Sequence, residues 1–160
     1  MTDAATAARR TLRCRTVAAG RFTQMNYVRD LPPLLVEERF GPPDDTPAAT
    51  PSEALLAAFG SCLSAHIHAD AASGNIAIHG LELEVEADVA ASPMWDPRGG
   101  EPGPVGFESI RVSVHIRADA PLETMRALVA HALLWSPVGN TLHGPVNLDV
   151  AVIGPAEIPA

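Results

Sequence analysis

The stretch "TPSEALLAAFGSCLSAHIHADAASGN", Thr50 to Asn75, decides the fold. Thr50 is placed to be an N-cap, Pro51 suits the first helical position, and Glu53 completes a Thr-x-x-Glu capping box. The spacing predicts a helix from Pro51 to about Ser73, with Gly74-Asn75 as its stop. Leu55, Leu56, Ala58, Phe59, Leu63 and Ile67 surround the helix axis, which predicts a helix buried on most sides, by a sheet or by a partner subunit. One cysteine, Cys62, lies at its centre. Three readings are open for it: a packed core residue, a metal ligand or a nucleophile.

Working outward, "IAIHGLELEVEADVA" (Ile76 to Ala90) alternates. Leu81, Leu83, Val85, Ala87 and Val89 point one way, and Glu82, Glu84, Glu86 and Asp88 the other, as in a half-exposed strand. "FESIRVSVHIRADA" (Phe107 to Ala120) alternates again and is expected as its antiparallel neighbour. Between them, "SPMWDPRGGEPGPVG" (Ser92 to Gly106) is a long turn-rich connection. A second helix is expected from near Pro121 to about Trp135, limited by Pro137. "SPVGNTLHGP" (Ser136 to Pro145) reads as a turn with one further helical turn capped by Ser136. "VNLDVAVI" (Val146 to Ile153) reads as a closing strand.

Upstream, Leu12 to about Val36 reads as short strands, with Gly20 as a turn signal and "LPP" (Leu31 to Pro33) as an interruption. "FGPPDDTPAATP" (Phe40 to Pro51) is a Pro-rich loop. The order β-β-α-β-β-α-β with antiparallel pairs predicts an α+β domain. One domain over residues 11–160 is expected, after a frayed 1–10.

Composition narrows the function. A hydrophobic share of 47% against 19% charged residues fits a globular protein, and 4% aromatics leave the packing to Ala, Val and Leu. A net charge of −8 disfavours nonspecific nucleic-acid binding, which needs cations to replace phosphate counterions. The sequence has no apolar run of the ~18–20 residues that spans a bilayer, so no membrane partner is expected. The N-terminus has no continuous apolar stretch of the secretory kind, which makes a cytoplasmic location the expectation, with thiols kept reduced. With Cys14 and Cys62 the only cysteines, a disulfide framework is not expected, and thiol chemistry stays open.

The cysteine helix, "LELEVEADV", "FESIRVSVHIRADAP" and "SPVGNTLHGPVNLDV" together resemble the OsmC/Ohr family of osmotically inducible and organic hydroperoxide resistance proteins. The likeness runs over roughly Leu12 to Ile153, and the helix and the Ser-Pro-Val turn are its most specific parts. The resemblance implies an OsmC-like fold with antiparallel sheets around a central cysteine-bearing helix, in an intertwined homodimer. It also implies a peroxiredoxin-like thiol peroxidase of the oxidative stress response, with no cofactor. In that family one cysteine attacks an organic hydroperoxide, a second resolves the sulfenic acid, and an arginine and a glutamate keep the first reactive.

Carried onto this chain, Cys62 matches the attacking cysteine. Arg39, in "ERFG", matches the arginine. The glutamate's position, ten residues before the cysteine, is Ser52, with the acid next door at Glu53. The resolving position falls on Ser136, where many members read Cys-Pro-Val-Ser. An intramolecular cycle between the usual positions is therefore impossible, and an external dithiol reductant is implied. The alternative is an OsmC-fold dimer without peroxidase turnover that binds an apolar small molecule, with Cys62 as a lining residue.

Other residues carry rival readings. Only a thiolate attacks a peroxide oxygen, and mid-helix Cys62 needs a nearby cation to favour it, for which Arg39 is the candidate. His66 shares a helix face with Cys62, as a packed residue or as a base or hydrogen-bond partner to the thiol. His66 and Asp70 are likewise four apart. A zinc site is disfavoured for want of further ligands, since His68 lies on another face. Cys14, between Arg13 and Arg15, is expected as an inert residue of the first strand.

Overall fold

The computed structural model describes residues 10–38, 48–89 and 106–151. The N-terminal segment expected to be frayed, Arg39, most of the Pro-rich stretch and most of the 92–106 connection lie outside them. The chain divides into two compact units, one of Met1–Ala57 with Val85–Arg111 and one of Ala58–Glu84 with Val112–Ala160.

In the first unit, β1 (Arg15–Ala18), β2 (Thr23–Tyr27) and β3 (Leu34–Glu37) form an antiparallel sheet in sequential order. The sequence pattern gave short strands here, and there are three. The Gly20 turn is closed by Ala19 and Gly20 N–H groups donating to the Thr23 carbonyl at 3.0 and 3.2 Å. Asn26 ties the sheet together from its middle strand: its Oδ1 accepts from Thr16 Oγ1 at 2.7 Å and its Nδ2 donates to the Leu34 carbonyl at 3.2 Å. Arg15 lies over the ring of its cross-strand partner Tyr27, 4.5 Å from the centroid. Cys14 is exposed and falls just before β1, not within it as expected.

Helix α1 (Pro51–Ser73) starts and stops as its sequence predicts. The Thr50 N–H donates to Glu53 Oε2 at 2.7 Å and the Glu53 N–H donates to Thr50 Oγ1 at 3.2 Å, which is the reciprocal capping box. These bonds from Thr50, its backbone N–H foremost, hold the Glu53 carboxyl below the usual carboxylate range. At the other end Ile76 N–H reaches the Ala71 carbonyl at 2.8 Å and Asn75 N–H the Ala72 carbonyl at 3.2 Å, a Schellman stop. The left-handed residue there is Asn75 (φ 53°), one of the few side chains that adopt this conformation readily, and not Gly74.

The second unit holds the core. Residues Phe59, Leu63, Ile67 and Ala71, four apart along α1, are buried as one stripe. Leu63, Ile67 and Ala132 pack against Ile78, Leu81 and Leu83 of β4 (Ile78–Val89) and Val112, Val114 and Ile116 of β5 (Phe107–Ala118). Leu128 and Val129 of α2 (Leu122–Trp135) close the cluster. Strands β4 and β5 pair in opposite directions: Asp119 N–H donates to the Ala77 carbonyl at one end, and Asp88 meets Ser109 and Arg111 at the other. Their outer face matches acid to base. Arg111 bonds Asp88, and this bond, helped by Ser109, keeps the Asp88 carboxyl well below its ordinary range.

Two expectations are not met within the described residues of one chain. Helix α1 is buried along one stripe, and Leu55, Ala57, Ala58, Ala65 and Ala69 are exposed, because the described residues supply packing partners to that stripe. The closing strand is also missing: residues 145–151 join no ladder, and 152–153 lie outside the described residues. A strand exists only where its N–H and C=O groups find a partner edge. The alternation of Val146, Leu148 and Val150 with polar residues is present, but among the described residues no edge meets it.

Candidate functional site

Cys62 is half-buried on α1, one turn beyond Phe59. Its sulfur is met by Ser136, which links α2 to α3 (Pro137–His143). Ser136 is fully buried, and its Oγ lies 3.3 Å from Cys62 Sγ. That oxygen also accepts the Gly139 N–H at 3.0 Å, so Ser136 is the side-chain N-cap of α3, as its sequence predicts. Asn140 Nδ2 donates to the Ser136 carbonyl at 2.9 Å, fixing the backbone of the same residue. Two residues 74 apart in sequence are thus brought to hydrogen-bond distance.

Gly139 sits closely against this approach. A Cβ there would meet Phe59 Cε2, Leu133 Cδ1 and Ser136 Oγ, each at 3.2 Å. A side chain here would require Phe59, Leu133 and Ser136 to give way by a few tenths of an ångström. Sequence reading passed over Gly139, since a glycine's need for close approach depends on neighbours that are distant in the chain.

The other expected site residues fall differently. Glu53 is exposed, and its carboxylate is occupied by Thr50, the structural role its spacing predicts. Arg39 lies outside the described residues. His66 is half-buried, and its side chain makes no hydrogen bond or ion pair among the described residues. Asp70 does not turn to His66. Its Oδ2 instead lies 2.7 Å from His131 Nδ1, whose Nε2 receives the Trp135 indole N–H at 3.1 Å. Since Trp can only donate, Nε2 is the bare nitrogen, and Nδ1–H faces the carboxylate. This Asp70–His131–Trp135 chain spans two helices and carries no motif that marks it in sequence. Glu37, at the end of β3, is a second acid that sequence reading missed: it is buried, and its N–H donates to the Ala49 carbonyl at 3.1 Å. No group of three or more His, Cys, Asp or Glu side chains suited to a metal ion occurs among the described residues.

The architecture is that of an α+β protein presenting one half-buried thiol from its central helix. A model of the OsmC-like protein family matches residues 42–151, most of the chain, and the protein belongs to that family. Among solved structures, an OsmC-like protein from Mycoplasma pneumoniae superposes with a TM-score of 0.71 at 18% identity, covering 86% of this chain and 90% of its own. An organic hydroperoxide resistance protein OsmC from Legionella pneumophila gives 0.60 at 20% identity, covering 86% and 92%. An organic hydroperoxide resistance protein from Elizabethkingia anophelis gives 0.62 at 15% identity, covering 86% and 91%. At these identities the likeness is one of fold. No curated protein matches the sequence. Among the described residues no helix is long and apolar enough to cross a membrane.

Proposed function

We propose that the protein is a one-cysteine thiol peroxidase that reduces organic hydroperoxides in an oxidative stress response. The observation that carries this reading is the half-buried Cys62 sulfur on the family's central helix, facing a hydroxyl where a resolving thiol would stand. The Cys62 thiolate attacks the terminal peroxide oxygen. The S–O bond forms, the O–O bond breaks, and the alkoxide leaves and takes a proton from solvent. Sulfur is oxidised by two electrons to the sulfenic acid, and the peroxide is reduced to an alcohol. A dithiol from outside the chain then restores Cys62: one thiolate displaces water to give a mixed disulfide, and the second releases Cys62 and leaves as the disulfide. Arg39 is assigned to hold the thiolate charge. Glu53, engaged by Thr50, fixes the start of the helix that carries Cys62.

The working unit is assigned as a homodimer. Two observations support a second copy: the exposed faces of α1 and the edge-seeking segment Val146–Val150, in which Leu148 is 88% and Val150 90% exposed. The test of the peroxidase reading is direct. Reduced protein is mixed with cumene hydroperoxide and dimedone, and Cys62 is read by mass spectrometry. A dimedone adduct at Cys62 and consumption of peroxide with added dithiol are expected. An unmodified Cys62 under conditions that oxidise a free thiol overturns the reading and leaves a scaffold that binds an apolar small molecule.

A further inference from the structure

We infer that Ser136 is a catalytic residue, a fixed hydroxyl donor that favours the Cys62 thiolate, and that Gly139 is the positioning residue that holds it there. The argument starts from the valence of one oxygen. A serine hydroxyl has one proton to give and two lone pairs. Gly139 N–H takes one lone pair at 3.0 Å, and the Cys62 sulfur lies 3.3 Å from the same oxygen. Ser136 is fully buried, so water does not compete for the hydroxyl. While Cys62 is a thiol, its S–H can donate to the second lone pair. Once Cys62 is ionised it can only accept, and the serine proton turns to the sulfur.

A hydrogen bond to an ionised acceptor is about twice as strong as a neutral one. The pair therefore favours the charged form of Cys62, the form that attacks a peroxide. The same donor faces the sulfur after oxidation and has no sulfur of its own with which to displace water. Ser136 thus keeps the position of a resolving residue while its chemistry is that of a stabilising one. Gly139 matters because a methyl group there would press on Ser136 Oγ, Phe59 and Leu133 together.

The use of this donor in catalysis rests on the peroxidase reading, but its effect on sulfur ionisation does not. In a Cys14→Ser background, Cys62 is the single thiol. Its alkylation by iodoacetamide is followed against pH in the parent, Ser136→Ala, Ser136→Thr and Gly139→Ala, each checked for a folded far-UV spectrum. Ser136→Ala is expected to move the pH midpoint up by about one unit, a tenfold loss of thiolate below the midpoint. Ser136→Thr, which keeps a hydroxyl, restores the parental profile, and Gly139→Ala moves it in the same direction as Ser136→Ala by less. Superimposable profiles for the parent and Ser136→Ala overturn the proposal. Where Ser136→Ala does not fold, a parental profile for Gly139→Ala overturns it. Peroxide turnover with unshifted profiles removes the donor and keeps the peroxidase. A shifted profile without turnover removes the peroxidase and keeps the donor.

Discussion

Replacing Ser136 by cysteine tests the central geometry most severely. The substitution puts a thiol where an oxygen already lies 3.3 Å from Cys62 Sγ, so oxidation should close a disulfide between the two positions. The bridge would tie residues 74 apart in sequence. In the chain-entropy account a loop of that length stabilises the folded state by about 4.4 kcal/mol at 25 °C. Against this stands the loss of the serine cap on the Gly139 N–H, about 1–2 kcal/mol. The reduced Ser136→Cys protein should therefore be less stable than the parent by about 1–2 kcal/mol. The oxidised form should exceed the parent by about 3 kcal/mol, or roughly 6–12 °C in melting temperature for a chain of this size. The assay is urea and thermal unfolding in a Cys14→Ser background at one protein concentration, with and without cumene hydroperoxide. Intact-mass measurement under non-reducing conditions counts the two hydrogens lost. A folded variant whose Cys62 oxidises to sulfenic acid, yet which forms no internal bridge, refutes the juxtaposition of α1 and the α2–α3 junction.

Further outcomes follow from the same structure. Ile67→Ala removes a fully buried side chain between sheet and helices and should cost about 2–5 kcal/mol, read by chemical denaturation. The Glu53 carboxyl lies below its ordinary value of 4.5 in the folded chain, so its contribution is present above that value and is lost as pH falls through the folded one. Glu53→Gln should therefore lower stability most at neutral pH, change it least in acid, and flatten that part of the acid unfolding curve. Leu148→Asp places a charge in the segment assigned to the dimer and should shift elution by size exclusion from dimer to monomer; a parent that elutes as a monomer overturns that assignment.

Local signals in the sequence were strong wherever structure is decided by neighbours in the chain. The Thr50–Glu53 capping box, the Asn75 stop, the alternation of β4 and β5 and the Ser136 cap are all set within a few residues, and each forms. Features that depend on distant partners were not legible. The all-round apolar pattern of α1 predicted burial that a single chain cannot supply. The Val146–Ile153 pattern predicted a strand without naming its edge. Asp70 passes over His66, four residues back, for His131 on another helix, a choice that tertiary packing makes and helix periodicity does not show.

The same distinction explains why Ser136 can be read in two ways. As a departure from a family pattern, a serine at the resolving position means loss of a reaction. As a buried hydroxyl capping α3 and touching Cys62, it is built into the fold on two sides at once. A position that had merely lost its function would need only to fill space, and alanine at this buried point would do that. A hydroxyl enclosed with the Cys62 sulfur within reach is what the donor role proposed above requires. On the peroxidase reading proposed above, an outside reductant takes over the resolving step, and the donor role proposed for Ser136 is what the Ser136→Ala profile decides.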